Sequence, residues 1–93
     1  MPELMFRIRW PDASETANYS PSSIIKNHFD AGKSYEIPDF LTRARSAMAA
    51  ASARVAATYG HPCSRAAATL AAIESRAATY SESETITVIE ITP

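Results

Sequence analysis

The sequence predicts an α+β fold: a small antiparallel or mixed three-stranded sheet packed against a long alanine-rich helical hairpin and one short helix. Three observations carry this. Leu4 to Trp10 alternates apolar and polar residues. From about Pro38 to Tyr80 the chain is rich in alanine, with larger apolar residues spaced three and four apart and one break at Tyr59-Gly60-His61-Pro62-Cys63. Thr85 to Ile91 is β-branched throughout except at Glu90.

In the first stretch Leu4, Phe6, Ile8 and Trp10 point one way and Met5, Arg7 and Arg9 the other, the period of a half-buried strand. Pro11-Asp12-Ala13-Ser14 is a turn signal, and Glu15 to Tyr19 makes a second strand and an antiparallel hairpin. Ala13 is not the glycine that a tight primed turn prefers, so a connection longer than two residues is expected.

Ser20-Pro21-Ser22-Ser23 reads as a helix start, with Ser20 as N-cap and Pro21 in the first helical position. The helix is short. Ile24, Ile25, His28 and Phe29 form its apolar face, and Asp30-Ala31-Gly32 ends it. Ser34 to Ile37 is brief and extended, with an edge strand as one reading, and Pro38 is expected to stop it.

Asp39 is expected to cap or open the first long helix. Its predicted apolar stripe is Leu41, Ala44, Met48, Ala51, Val55 and Tyr59. Gly60 ends this helix and Pro62 starts the next, whose stripe is Ala66, Leu70, Ile73, Ala77 and Tyr80. Alanine lets two helix axes approach closely and favours helix intrinsically. After the polar loop Ser81-Glu82-Ser83-Glu84 comes the last strand. Its alternation is imperfect, because Val88 faces one way and Ile89 and Ile91 the other. It is expected to pair with the first strand, the full order being open. The sheet would keep exposed edges, which a homodimer would cover.

Ninety-three residues form a single domain, 1–93, with a small core, since much of the apolar content is alanine. A net charge of -1 argues against a dedicated nucleic-acid binder. One cysteine cannot form an internal disulfide. The N-terminus lacks a signal-peptide pattern and the apolar runs are too short to span a bilayer, so a cytoplasmic protein without membrane partners is expected.

Candidate chemistry centres on the hairpin break. Cys63 follows Pro62 at a helix start, where backbone N–H groups stabilise a thiolate, and His61 and Ser64 lie beside it. That makes Cys63, His61 and Ser64 candidate reactive or ligand-binding residues. The competing reading is a small residue filling an interhelical corner. His28, His61 and Cys63 match no metal-ligand spacing, so no metal is expected, and no cofactor. Arg7, Arg9 and Arg43 are candidate contacts for an anion or an acidic partner, against the alternative of a solvated, salt-bridged surface. With only Gly32 and Gly60, the chain has no glycine supply for a phosphate-binding loop. No convincing catalytic constellation emerges, so the reading leans away from an enzyme.

Several segments together carry a resemblance. They are Met1-Pro2-Glu3, Phe6-Arg7-Ile8-Arg9-Trp10-Pro11-Asp12, Tyr19-Ser20-Pro21-Ser22, Asp39-Phe40-Leu41 with Arg43 and Arg45, Ala51-Ser52-Ala53-Arg54-Val55, Tyr59-Gly60 and Cys63-Ser64. In this order they resemble the small bacterial nitrogen-starvation-response proteins over nearly the whole chain. Ala13 and His61 depart from that pattern, which has glycine and an aromatic or apolar residue there. The resemblance implies a place in a gene cluster with a nitrilase, a radical-SAM protein and a flavin-dependent oxygenase, linked to nitrogen scavenging from nitriles or cyanide. It implies no catalytic residue. The resulting expectation is an accessory protein that binds an enzyme of that cluster, itself a homodimer. The alternative is a small carrier or enzyme that uses Cys63 as a reactive thiol.

Overall fold

The computed structural model describes residues 4–60 and 64–92. Strands β1 (Leu4–Arg9) and β2 (Glu15–Ser20) form the N-terminal hairpin. A 3-10 helix, Ser23–Asn27, leads to β3 (Ser34–Glu36). Helices α1 (Ile37–Tyr59) and α2 (Ser64–Ala77) follow, and β4 (Thr85–Thr92) closes the chain. The sheet is antiparallel, in the order β2-β1-β4-β3.

The expected sheet of three strands thus gains a fourth. Ser34 to Glu36 pairs with β4 as the edge strand. Backbone bonds on either side extend this ladder: Gly32 N–H to Val88 O at 2.6 Å, Val88 N–H to Lys33 O at 3.0 Å and Ile37 N–H to Glu84 O at 3.1 Å. The edge-strand reading of this segment is the one realised, although three residues are too few for a period to be counted.

The β1–β2 turn explains Ala13. The Ala13 N–H bonds Trp10 O (2.9 Å) and the Trp10 N–H bonds Ser14 O (2.8 Å), closing a three-residue loop. Pro11 takes the first corner, where its fixed φ fits, and Ala13 follows at φ 71. The connection is therefore longer than two residues, as expected. Alanine in the left-handed region costs roughly 1–2 kcal/mol. Ala13→Gly is expected to stabilise the protein by about 0.5–1 kcal/mol after glycine's larger unfolded-state entropy is subtracted. A thermal melt checks it, and an unchanged or lower Tm would show that the turn does not feel this strain.

The short helix starts two residues later than expected. Ser22, not Ser20, is its N-cap, accepting from the Ile24 N–H at 3.3 Å. The buried Ser20 hydroxyl instead donates to Ser22 O at 2.8 Å and so shapes the entry to the cap. Pro38 does not precede α1 but lies in its first turn, where a missing N–H costs nothing. Glu36 is the N-cap, without a side-chain bond, and Asp39 sits in the first turn near the positive end of the helix dipole. Gly60 ends α1 at φ 85, its N–H on Ala56 O at 2.8 Å.

Leu4, Phe6, Ile8 and Trp10 are buried, and the intervening residues of β1 are exposed, so the helices cover one face of the sheet. Phe29 stands at the centre of an aromatic cluster, 4.9 Å from Phe40, 5.4 Å from Tyr35 and 6.3 Å from Phe6 between ring centroids. Tyr35 is buried, but its hydroxyl accepts the Asp30 N–H at 2.8 Å.

On α1 the buried residues are Ile37, Phe40, Ala44, Ala47, Met48 and Ala51. Phe40 and Ala47 therefore join the predicted stripe, Leu41 and Val55 are only half-buried, and Tyr59 is exposed. On α2 Ala66, Ile73 and Ala77 are buried, with Leu70 and Tyr80 packed at the margin. Arg45 bridges the helices to Glu74 at 2.9 Å.

The imperfect alternation of β4 has a definite cause. Arg7 pairs with Glu90 and Ile8 with Val88, so Ile89 is an unpaired bulge residue. The extra residue shifts the phase by one. Ile86 and Val88 are buried before it, and Ile91 packs against the core after it.

Candidate functional site

His61 and Cys63 lie outside the described residues. Ser64 is the first residue of α2 and is exposed. Arg7 and Arg9 project from the uncovered sheet face, as expected. Arg7 meets Glu90 at 3.5 Å and Arg9 meets Glu15 at 3.1 Å. Arg43 belongs to α1. It bonds both oxygens of Asp39 at 3.1 Å, donates to His28 O at 3.0 Å and lies over the Tyr35 ring, 4.9 Å from its centroid. Each of the three is thus engaged with a carboxylate, and Arg43 lies in a different layer from the other two. Arg43 also ties the end of the 3-10 helix to α1.

Two other arginines meet segments of the resemblance. Arg54 of α1 points a guanidinium N–H at the Ser22 hydroxyl, 3.4 Å away. Arg65, in the first turn of α2, lies over the Tyr19 ring at 3.8 Å from the centroid. Tyr19-Ser20-Pro21-Ser22, the Arg54 region and the start of α2 therefore gather in one place, where the helical hairpin meets the end of β2. Among the described residues neither Arg54 nor Arg65 forms an ion pair with a carboxylate. Tyr59, five residues beyond Arg54 at the end of α1, is 62% exposed, high for a large aromatic residue. In the sequence Arg54 falls within the first long helical stretch and Arg65 two residues after Cys63. Nothing in the sequence signals that both land on the Tyr19–Ser22 segment, because that depends on how α2 lies across the sheet.

A second polar cluster fixes that placement. Arg76, in the last turn of α2, bonds the Ser14 hydroxyl, lies 3.7 Å from Asp12 Oδ2, and donates to the Tyr80 hydroxyl at 3.3 Å. Its guanidinium also lies over Trp10, which stacks on Tyr80 at 5.9 Å. With Arg65 at Tyr19 and Arg76 at Ser14, α2 runs antiparallel to β2. The spans agree: residues 65 to 76 rise about 16 Å in a helix, and residues 14 to 19 extend about 16 Å in a strand.

In this cluster the Asp12 carboxyl is held below its ordinary value of 3.8. The Ser14 hydroxyl is the largest cause, followed by the Ser14 N–H. A carboxylate with a depressed folded value adds stability above its unfolded value and loses it as pH falls through the folded one. The contribution of Asp12 is therefore present above about pH 4–5 and is lost on acidification below that. Ser14→Ala is expected to raise the Asp12 value toward the ordinary one. NMR titration of its carboxyl carbon checks this, and an unmoved midpoint would show that Ser14 is not the cause.

Among the described residues no group of His, Cys, Asp and Glu is placed to hold a metal ion. No described helix is long and apolar enough to cross a membrane.

These features define a small two-layer α+β protein whose cationic and hydroxyl groups gather where its helical hairpin meets the second strand. The chain belongs to the nitrogen starvation-induced protein NitG family, whose pattern matches residues 5–91. No curated protein and no solved structure matches the chain.

Proposed function

We propose that this protein is an accessory subunit of the nitrogen-starvation response, which binds an enzyme of nitrile or cyanide nitrogen assimilation and does no chemistry itself. One observation carries the reading. The far end of α1 presents Tyr59 largely to solvent, and Arg54, five residues before it, has no carboxylate partner among the described residues. Tyrosine and arginine are the residue types that dominate binding energy at protein interfaces. Both lie in segments that carry the family resemblance.

The test is co-purification of the tagged chain from nitrogen-starved cells, followed by binding to each purified enzyme of the cluster. A Tyr59→Ala, Arg54→Ala double variant is expected to lose the partner, and with it at least tenfold in affinity, about 1.4 kcal/mol. Its Tm should stay near that of the parent, because both side chains are exposed. If no cluster enzyme binds the chain or changes activity in its presence, the proposal fails.

A further inference from the structure

At the end of the helical hairpin remote from its break, where α1 begins and α2 finishes, a cleft of about 400 Å³ lies between the two helices. Its floor is apolar. Ile37 and Ala77 are buried there, and Leu41 and the Tyr80 ring, both half-buried, form its walls. Three charged side chains line it as well: Arg45, Glu74 and Glu82. The volume suits a small molecule, and an apolar floor with a few convergent polar groups is the usual make-up of such a site.

The charged groups are only partly used. Arg45 gives its Nε–H and an Nη2–H to one oxygen of Glu74, Oε2, at 3.0 and 2.9 Å. Among the described residues Arg45 Nη1 and Glu74 Oε1 take no protein partner, and Glu82 joins no ion pair. A donor and an acceptor thus stand side by side on one salt bridge, with a second carboxylate on the same cleft. The helix ends add to this polarity. The first turn of α1 brings the positive end of its dipole to the cleft, and the last turn of α2 brings the negative end of its own.

We infer that the cleft binds a free α-amino acid with a large apolar side chain. Its carboxylate accepts from Arg45 Nη1, its ammonium donates to Glu74 Oε1 and Glu82, and its side chain lies on Ile37, Leu41 and Tyr80. An α-amino acid carries both charges on one carbon, which matches a donor and an acceptor that share one salt bridge. A neutral carboxamide would meet the same two groups but leave the Glu82 charge uncompensated. A simple amine would leave Arg45 Nη1 unused. Removing the apolar side chain from water adds to the affinity. Tyr59 and Arg54 lie toward the other end of the hairpin, so this cleft and the partner surface are occupied independently.

The test is titration of the isotopically labelled full chain with L-phenylalanine, followed by amide NMR shifts. Saturable shifts are expected at Leu41, Arg45, Glu74 and Ala78. Hydrocinnamate lacks the ammonium and phenethylamine lacks the carboxylate, and each is expected to bind roughly tenfold more weakly, as charge-assisted hydrogen bonds are lost. Glycine, without the apolar group, should bind more weakly too. Glu82→Gln should weaken L-phenylalanine by about fivefold, the upper end for an exposed charge pair, and leave hydrocinnamate unchanged. Glu82 is exposed, so its replacement should keep the fold. Arg7→Gln, on the uncovered face of the sheet, should change none of these affinities. No saturable shift at millimolar L-phenylalanine overturns the inference, and so do shifts confined to residues away from the cleft. Equal affinity for L-phenylalanine and either analogue also overturns it, since the cleft would then read one charge and not two.

Discussion

Phe40→Ala should cost about 3–5 kcal/mol. Phe40 is fully buried, and its ring lies between Phe29 at 4.9 Å and Tyr35 at 6.5 Å. It joins the start of α1 to the residues after the 3-10 helix and to β3, so truncation opens a void where three elements meet. A domain of this size has a total stability of about 5–14 kcal/mol, so the loss is about a fifth of it or more. Tm should fall by roughly 12 °C or more. Phe40→Leu keeps most of the volume and should cost clearly less. A melt in which both variants lose the same amount would mean that ring contact, not filled volume, is what the cluster supplies.

Ile73→Asp should release α2 from the sheet. Ile73 is fully buried and is the one large side chain among the buried residues of α2, the others being Ala66 and Ala77. Alanine buries little area, so the apolar attachment of the helix rests mainly on this residue. A carboxylate there is buried without a partner, which belongs to the class of substitutions costing about 4 kcal/mol or more. The salt bridge Arg45–Glu74 and the contacts of Arg65 and Arg76 are surface interactions and cannot offset that loss. Hydrogen exchange should show amides of residues 64–77 losing protection first, with β1 and β4 retaining theirs. Equal loss in sheet and helix would show that α2 and the sheet unfold as one unit.

The strands and helices that alternate or repeat over many residues were legible. β1, β2 and β4 and both long helices fall where the pattern places them. β3 was only half legible, because its status as a strand depends on a ladder with Thr85 to Thr87, fifty residues away in sequence. The stripe on α1 drifted toward Tyr59 because alanine-rich spacing fits several faces of a helix equally well. What fixes the face is Phe40, whose partners Phe29 and Tyr35 come from elsewhere in the chain. The cap moved from Ser20 to Ser22 because both are serines within one turn. Local chemistry does not say which hydroxyl reaches the Ile24 N–H and which bends back on the chain. At the candidate site the sequence marked Tyr19 to Ser22, Arg54 and Ser64 as segments of the resemblance, whereas its candidate contacts Arg7, Arg9 and Arg43 are paired elsewhere in the fold. It could not show that Arg65 and Arg54 would reach them, since that follows from α2 lying antiparallel to β2.

The unpaired Ile89 gives the last strand one residue of slack. Removing it would leave Ile8 against Val88, Arg7 against Glu90 and Phe6 against Ile91, the partners they already have. Removing Ile86 or Val88 has no such remedy, since every residue beyond would change sides. Length change in this strand is therefore tolerable at one point and nowhere near it. The fold can absorb a lost codon at that point without redrawing its interior, so it is there, rather than in the turns, that chains built on this plan can differ in length within the sheet.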